Sequence, residues 1–168
     1  MEEEIRRKTL LGNAERLAQL PKSSEVGKNL DSFVAFFVAG EKLLISADNV
    51  VEVIKYRDVT LLPGVDEKLA GIYNFRGSVI GVFNSDRIFG IESVSRAPHR
   101  YLLICSCNDI YFAIVCEDVG GIEHRDPESI IGGESSTLLP VIFSGIFHDS
   151  ARCVDIDKLM ENDILRIL

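Results

Sequence analysis

The residue best placed to do chemistry is Arg76. It lies in AGIYNFRGSVIGVF, residues 70–83, where Ile72, Asn74 and Phe75 lead into Arg76-Gly77, and Val79, Ile80, Val82 and Phe83 follow. Two β-prone runs about a glycine-containing break read as a hairpin. Glycine at 77 supplies the positive φ that a tight turn needs. A short, stiff corner of this kind can offer a guanidinium to a partner's carboxylate or carbonyl. The plainer alternative is an ordinary exposed arginine beside a turn.

Other reactive side chains form no recognisable constellation. The three histidines, His99, His124 and His148, have no companions at metal-ligand spacing. His124 and His148 read as solvated loop residues rather than general bases. Cys105 and Cys107 share one face of a strand, and with Cys116 and Cys153 they read as buried, reduced thiols, since no CxxC or CxxH accompanies them. Gly120-Gly121 and Gly132-Gly133 read as flexible turns, and one of Asp155 and Asp157 reads as a helix cap. No GxSxG, P-loop or dinucleotide fingerprint occurs. No catalytic residue, cofactor site or metal site is expected.

The elements that must position Arg76 are short. The chain of 168 residues is 46% hydrophobic and 26% charged, enough for one domain or two small lobes with a genuine core. Its net charge of -8, without a basic stripe, argues against nucleic-acid binding. No apolar run reaches membrane-spanning length, and MEEEIRRK lacks the apolar centre of a signal peptide, so a cytoplasmic protein is expected.

Residues 1–31 read as a helical arm and linker. Ile5, Leu10, Leu11, Ala14, Leu17 and Ala18 recur at helical spacing, Pro21 stops the pattern, and PKSSEVGKNLDS is polar. The arm either folds back on the main domain or docks elsewhere. Residues 32–168 read as short strands with closely spaced turns. FVAFFVAG and KLLIS form a second hairpin about Gly40-Glu41. Ser46 or Asp48 is expected to cap a short helix carrying Val50, Val51, Val53 and Ile54. YLLICS and DIYFAIVC are strands, EHRDPESIIGGESST is a loop, and SGIFHD with ARCVDI precedes a final helix bearing Ile156, Leu159, Met160 and Ile164. Alternation places Val34, Phe36, Ile45, Leu103 and Ile114 inside small β-barrels.

Four segments in order resemble the CheW-like adaptors of bacterial chemosensory systems, over about Ser32 to Met160. They are NVVEVIKYRDVTLLPG with Glu52 and Leu62-Pro63; GIYNFRG with Gly71, Asn74, Arg76 and Gly77; IVCEDVGGI, with Glu117 where an aspartate is usual; and SGIFHDSARCVDIDKLM. The N-terminal extension and the GIFHD ending look like the PilI-like branch of type IV pilus (twitching) systems. The sequence departs from the family's Val-Ile-Pro-Val-Ile-Asp-Leu at Gly81, Asn84 and Ser85.

The resemblance implies a mainly β fold of two side-by-side five-stranded SH3-like barrels with short helices. It implies no enzyme activity and no cofactor. It implies a scaffold coupling the cytoplasmic tips of chemoreceptors to the regulatory domain of a CheA-like histidine kinase, recruited to membrane-associated receptor arrays. Val50, Glu52, Gly71 and Arg76 match receptor-contact positions; Val59, Leu61 and Leu62 are assigned to kinase contact. The departures leave a second reading, an array module with a CheW-like fold that has lost kinase coupling.

Overall fold

A computed structural model describes residues 29–92, 98–132 and 142–161. The expected N-terminal helix, Gly133 and Ile164 lie outside the described residues. Two five-stranded sheets form two lobes. The first contains β1 (Asp31–Val38), β2 (Glu41–Ser46), β8 (Asp118–Arg125), β9 (Phe143–Ile146) and β10 (Arg152–Val154), in the order β8-β1-β2-β10-β9. The second contains β3 (Val50–Lys55), β4 (Leu69–Phe75), β5 (Ser78–Phe83), β6 (Tyr101–Cys107) and β7 (Ile110–Cys116), in the order β3-β6-β7-β5-β4. The second lobe is therefore inserted within the first.

The lobes repeat one plan. Each joins its hairpins through a parallel pair, β2 with β10 and β5 with β7. In each, the segment after one edge strand bridges the opposite edge: Thr60 to Ile72 and Ile131 to Ile146. Closing the edge in this way leaves fewer unpaired backbone groups. A short helix follows each parallel strand, α1 (Ser85–Phe89) after β5 and α2 (Ile156–Glu161) after β10. Asp155 caps α2, its carboxylate accepting from the Lys158 amide at 3.1 Å.

Three two-residue turns join β1–β2, β4–β5 and β6–β7. Both central residues of each have positive φ: Ala39-Gly40, Arg76-Gly77 and Asn108-Asp109. These are the turns whose twist matches paired strands. Arg76 itself, not only Gly77, takes the left-handed conformation, at φ 51°.

The core corrects the barrel-interior assignment. Val34, Phe36, Ile45, Leu103 and Ile114 are buried, but they belong to a cluster drawn from both sheets, together with Phe83, Phe89 and Leu159. The lobe interiors are separate and smaller. Phe33, Ala35 and Leu44 fill the first; Leu102, Ile104, Ala113 and Val115 fill the second. Strands such as FVAFFV and FAIVC are apolar on both faces because one face fills a lobe and the other joins the lobes.

Two further expectations are corrected. Val50–Lys55 is a strand, not a helix; the preceding Ala47–Asn49 forms a single 3-10 turn, and the Ser46 side chain makes no cap bond. The β-branched run VVEVI favours the pleated conformation and pairs with β6. Gly120 and Gly121 are in β8, not a loop turn, and β8 carries His124, whose Nδ1 lies 3.0 Å from Ser32 Oγ. A Cβ on Gly120 would meet Ala35 and Phe37 at 3.3 Å, so glycine allows β8 to lie close against β1.

All four cysteines are free and buried. Burial pushes the Cys116 thiol up to about 12. It pushes Cys107 up to about 11, with help from the Asp157 carboxylate that accepts from its sulfur at 3.2 Å. Cys105 and Cys153 are also raised by burial. Native protein should therefore react very slowly with an aromatic disulfide reagent near pH 8, and denatured protein should titrate four thiols per chain. Rapid native reaction at Cys105 or Cys107 would contradict this burial.

A charge cluster braces the first lobe. Arg125 joins Glu123 and Asp149, and Lys42 reaches the same two carboxylates. The Arg125 guanidinium also lies 5.1 Å from the Phe147 ring centre. The Lys42 hydrogen bond holds Glu123 below its ordinary value of 4.5, and that from Arg125 holds Asp149 well below 3.8. A carboxyl lowered on folding stabilises above its unfolded value, and the benefit is lost as pH falls through the native one. Stability to urea should accordingly fall between about pH 5 and pH 2, and less steeply in Arg125→Gln. Equal acid slopes in the variant and the wild type would contradict the account.

Candidate functional site: an exposed arginine corner and an interlobe cleft

Two surfaces stand out, one on the second lobe and one between the lobes. The first is the tip of the β4–β5 hairpin. Asn74 Oδ1 accepts from the Gly77 amide at 3.0 Å and so fixes the turn. Arg76 remains 67% exposed, its guanidinium 4.7 Å from the Phe75 ring centre and 3.4 Å from Glu52 Oε2 on β3. Two residues matched separately to receptor-contact positions, Glu52 and Arg76, are thus paired with each other in the structure. Tyr111 lies beside Phe75, ring centres 5.8 Å apart, and Val79 on the same hairpin is 68% exposed. A held cation with exposed apolar neighbours suits a helical surface carrying carboxylates and apolar side chains.

The other two residues assigned to the receptor are placed differently. Val50 is half-buried, opposite Cys105, and packs on the core between the lobes. Gly71 is buried, and a Cβ there would come within 2.3 Å of the Thr60 carbonyl oxygen and 3.0 Å of Val59 Cγ1. Gly71 thus seats the 59–62 segment on β4.

That segment borders the second surface, a cleft of about 470 Å³. Leu61 is 69% exposed at its edge, whereas Leu62 is half-buried against the core between the lobes. Val59 packs on the interior of the second lobe. Of the three residues assigned to the kinase, Leu61 is the one presented outward. The cleft also takes in Val65, Asp66 and Asp86, which the motifs did not single out, and Glu117, which they did. Glu117 accepts from the amides of Ala39 and Gly40 at 2.8 and 3.2 Å, so this carboxylate ties the first lobe's turn to the strand end of the second. Neither His124 nor His148 lines the cleft. Among the described residues no group of metal-ligating side chains converges.

The departures at 81, 84 and 85 are accommodated. Gly81 pairs with Ile72 in the hairpin. Asn84 precedes α1 and donates from Nδ2 to the Glu67 carbonyl at 2.7 Å, and Ser85 is buried in α1.

Residues 32–163 match the family model of the CheW-like domain. The chain belongs to the CheW-like domain family. Similar CheW-like proteins include the Protein PilI of Pseudomonas aeruginosa, 25% identical over 134 residues covering 78% of this chain and 74% of that one. The chemotaxis protein CheW of Thermotoga maritima is 24% identical over 131 residues, covering 76% and 86%. The crystal structure of the scaffolding protein TtCheW from Thermoanaerobacter tengcongensis superposes with a TM-score of 0.64 at 24% identity, covering 74% of this chain and 87% of that chain; this is a likeness of fold. The two five-stranded lobes are thus the paired SH3-like barrels of CheW-like proteins. Among the described residues no helix is long and apolar enough to cross a membrane.

Proposed function

We propose that this CheW-like protein is a non-catalytic adaptor of the cytoplasm that couples chemoreceptor tips to the regulatory domain of a CheA-like histidine kinase, in chemotaxis or twitching signalling. The observation that carries the proposal is the placement of two distinct outward surfaces on one β body. Arg76, held by Glu52 and Phe75, is the receptor contact, with Glu52 positioning it. Leu61 is the kinase contact, with Val59 and Leu62 anchoring its loop. Val50 and Gly71 act through packing, Gly71 by seating that loop.

The surfaces are joined through β4. Thr60 exchanges two backbone hydrogen bonds with Ile72, both 2.9 Å, and Arg76 lies four residues further along. At strand spacing that separates them by about 13 Å. Two partners so placed can influence one another through a body that deforms little. The domain proposed for residues 32–168 begins at β1, whose first residue, Asp31, already pairs with Arg125, and the residues before that strand are proposed as a separate arm.

The test is capture of a purified kinase regulatory domain and of a receptor-tip fragment by the full chain. Binding of both supports the adaptor. Binding of the receptor fragment without the kinase domain would instead support an array module without kinase coupling.

A further inference from the structure

The cleft beside Leu61 is acidic and partly apolar. Asp66, Glu67, Asp86 and Glu117 line it, and Arg87 is the one arginine or lysine among the described lining residues. Arg87 is already engaged, 3.3 Å from Glu67 and 3.9 Å from Asp86. Leu61 and Val65 leave apolar surface uncovered at the same place. An occupant should therefore carry apolar side chains flanked by cations.

One segment of this chain has that chemistry. Residues 5–20, IRRKTLLGNAERLAQL, contain Arg6, Arg7, Lys8 and Arg16 against the single acid Glu15. Leu10, Leu11, Ala14, Leu17 and Ala18 form its apolar stripe at helical spacing, and Arg7 falls in line with Leu11 and Ala14. The reach is sufficient. Val38 and Ala39 border the cleft, and Val38 lies seven residues along β1 from Asp31, about 23 Å away at strand spacing. The ten residues from Pro21 to Leu30 can span about 33 Å when extended.

We propose that residues 5–20 dock in this cleft of their own chain, the leucines against Leu61 and Val65 and the arginines facing the acids. In that position the arm covers Leu61. Competition with the kinase domain then follows, and this consequence rests on the assignment of Leu61 to kinase contact. The docking itself does not.

Hydrogen exchange of the full chain alone, read by mass spectrometry, tests it without either partner. Two variants are compared with wild type, Arg6→Glu/Arg7→Glu/Arg16→Glu and Leu10→Asn/Leu11→Asn. Both should speed exchange at residues 61–67 by about tenfold while β6 and β7 are unchanged. Unchanged exchange at 61–67 in both variants would overturn the proposal. Acceleration that spreads into β6 and β7 would overturn it too, since the arm would then be part of the core. Protection that appears only as protein concentration rises would show that a second copy supplies the arm, and would overturn docking within one chain.

Discussion

Gly71→Ala is expected to destabilise the protein by roughly 2–5 kcal/mol, with a fall in thermal midpoint of roughly 5–15 °C. The added Cβ would sit 2.3 Å from the Thr60 carbonyl oxygen, a backbone atom that cannot rotate away. Relief requires lifting Thr60 off β4, which strains or breaks the two 2.9 Å hydrogen bonds to Ile72 and loosens Val59 from the interior of the second lobe. Gly77→Ala is the control. Nothing lies within 4 Å of its Cβ, and only the φ of 84° is strained, so it should cost about 1 kcal/mol. Urea unfolding of both variants checks the contrast. A Gly71→Ala protein within about 1 kcal/mol of wild type would show that the 59–62 segment is not seated on β4 as described.

Arg76→Ala should leave folding nearly intact and weaken binding to a receptor-tip fragment by roughly 1.5–3 kcal/mol, ten- to a hundred-fold or somewhat more in Kd. The stability change should be below about 1 kcal/mol, because the pair with Glu52 is exposed and the contact with Phe75 is at the surface. Arg76→Lys should recover only part of the loss, since an ammonium lacks the planar fork. Titration of wild type and both variants against the fragment measures it. Unchanged affinity in Arg76→Ala would remove Arg76 from the receptor surface, and equal loss of kinase-domain affinity would show that the two surfaces are not separate.

The hairpin that carries Arg76 was legible because the runs on either side favour strands and the glycine between them favours a tight turn. The positive φ of Arg76 was not, because nothing in its side chain announces it. VVEVI was misread because its apolar residues satisfy both helical and strand periods, and pairing with β6 decides between them. The Gly120-Gly121 pair was misread because a glycine needed for close strand packing looks like a turn glycine. Apolar alternation located buried residues such as Phe36 and Leu103 but not which core they fill, since both faces of these strands are covered. Arg76 was singled out by its place beside a turn glycine, and Glu52 by resemblance. Their contact across 24 positions depends on β3 and the β4–β5 hairpin meeting in the folded lobe. The cleft was invisible beforehand because positions from 38 to 117 assemble it.

The most direct test of the adaptor is sedimentation velocity of the full chain mixed with both a receptor-tip fragment and a CheA-like regulatory domain. The account predicts one ternary species containing all three, retained when either partner is in excess. It also predicts that Arg76→Ala loses the receptor fragment while keeping the kinase domain. Displacement of one partner by the other, or failure of either to bind wild type, would contradict it.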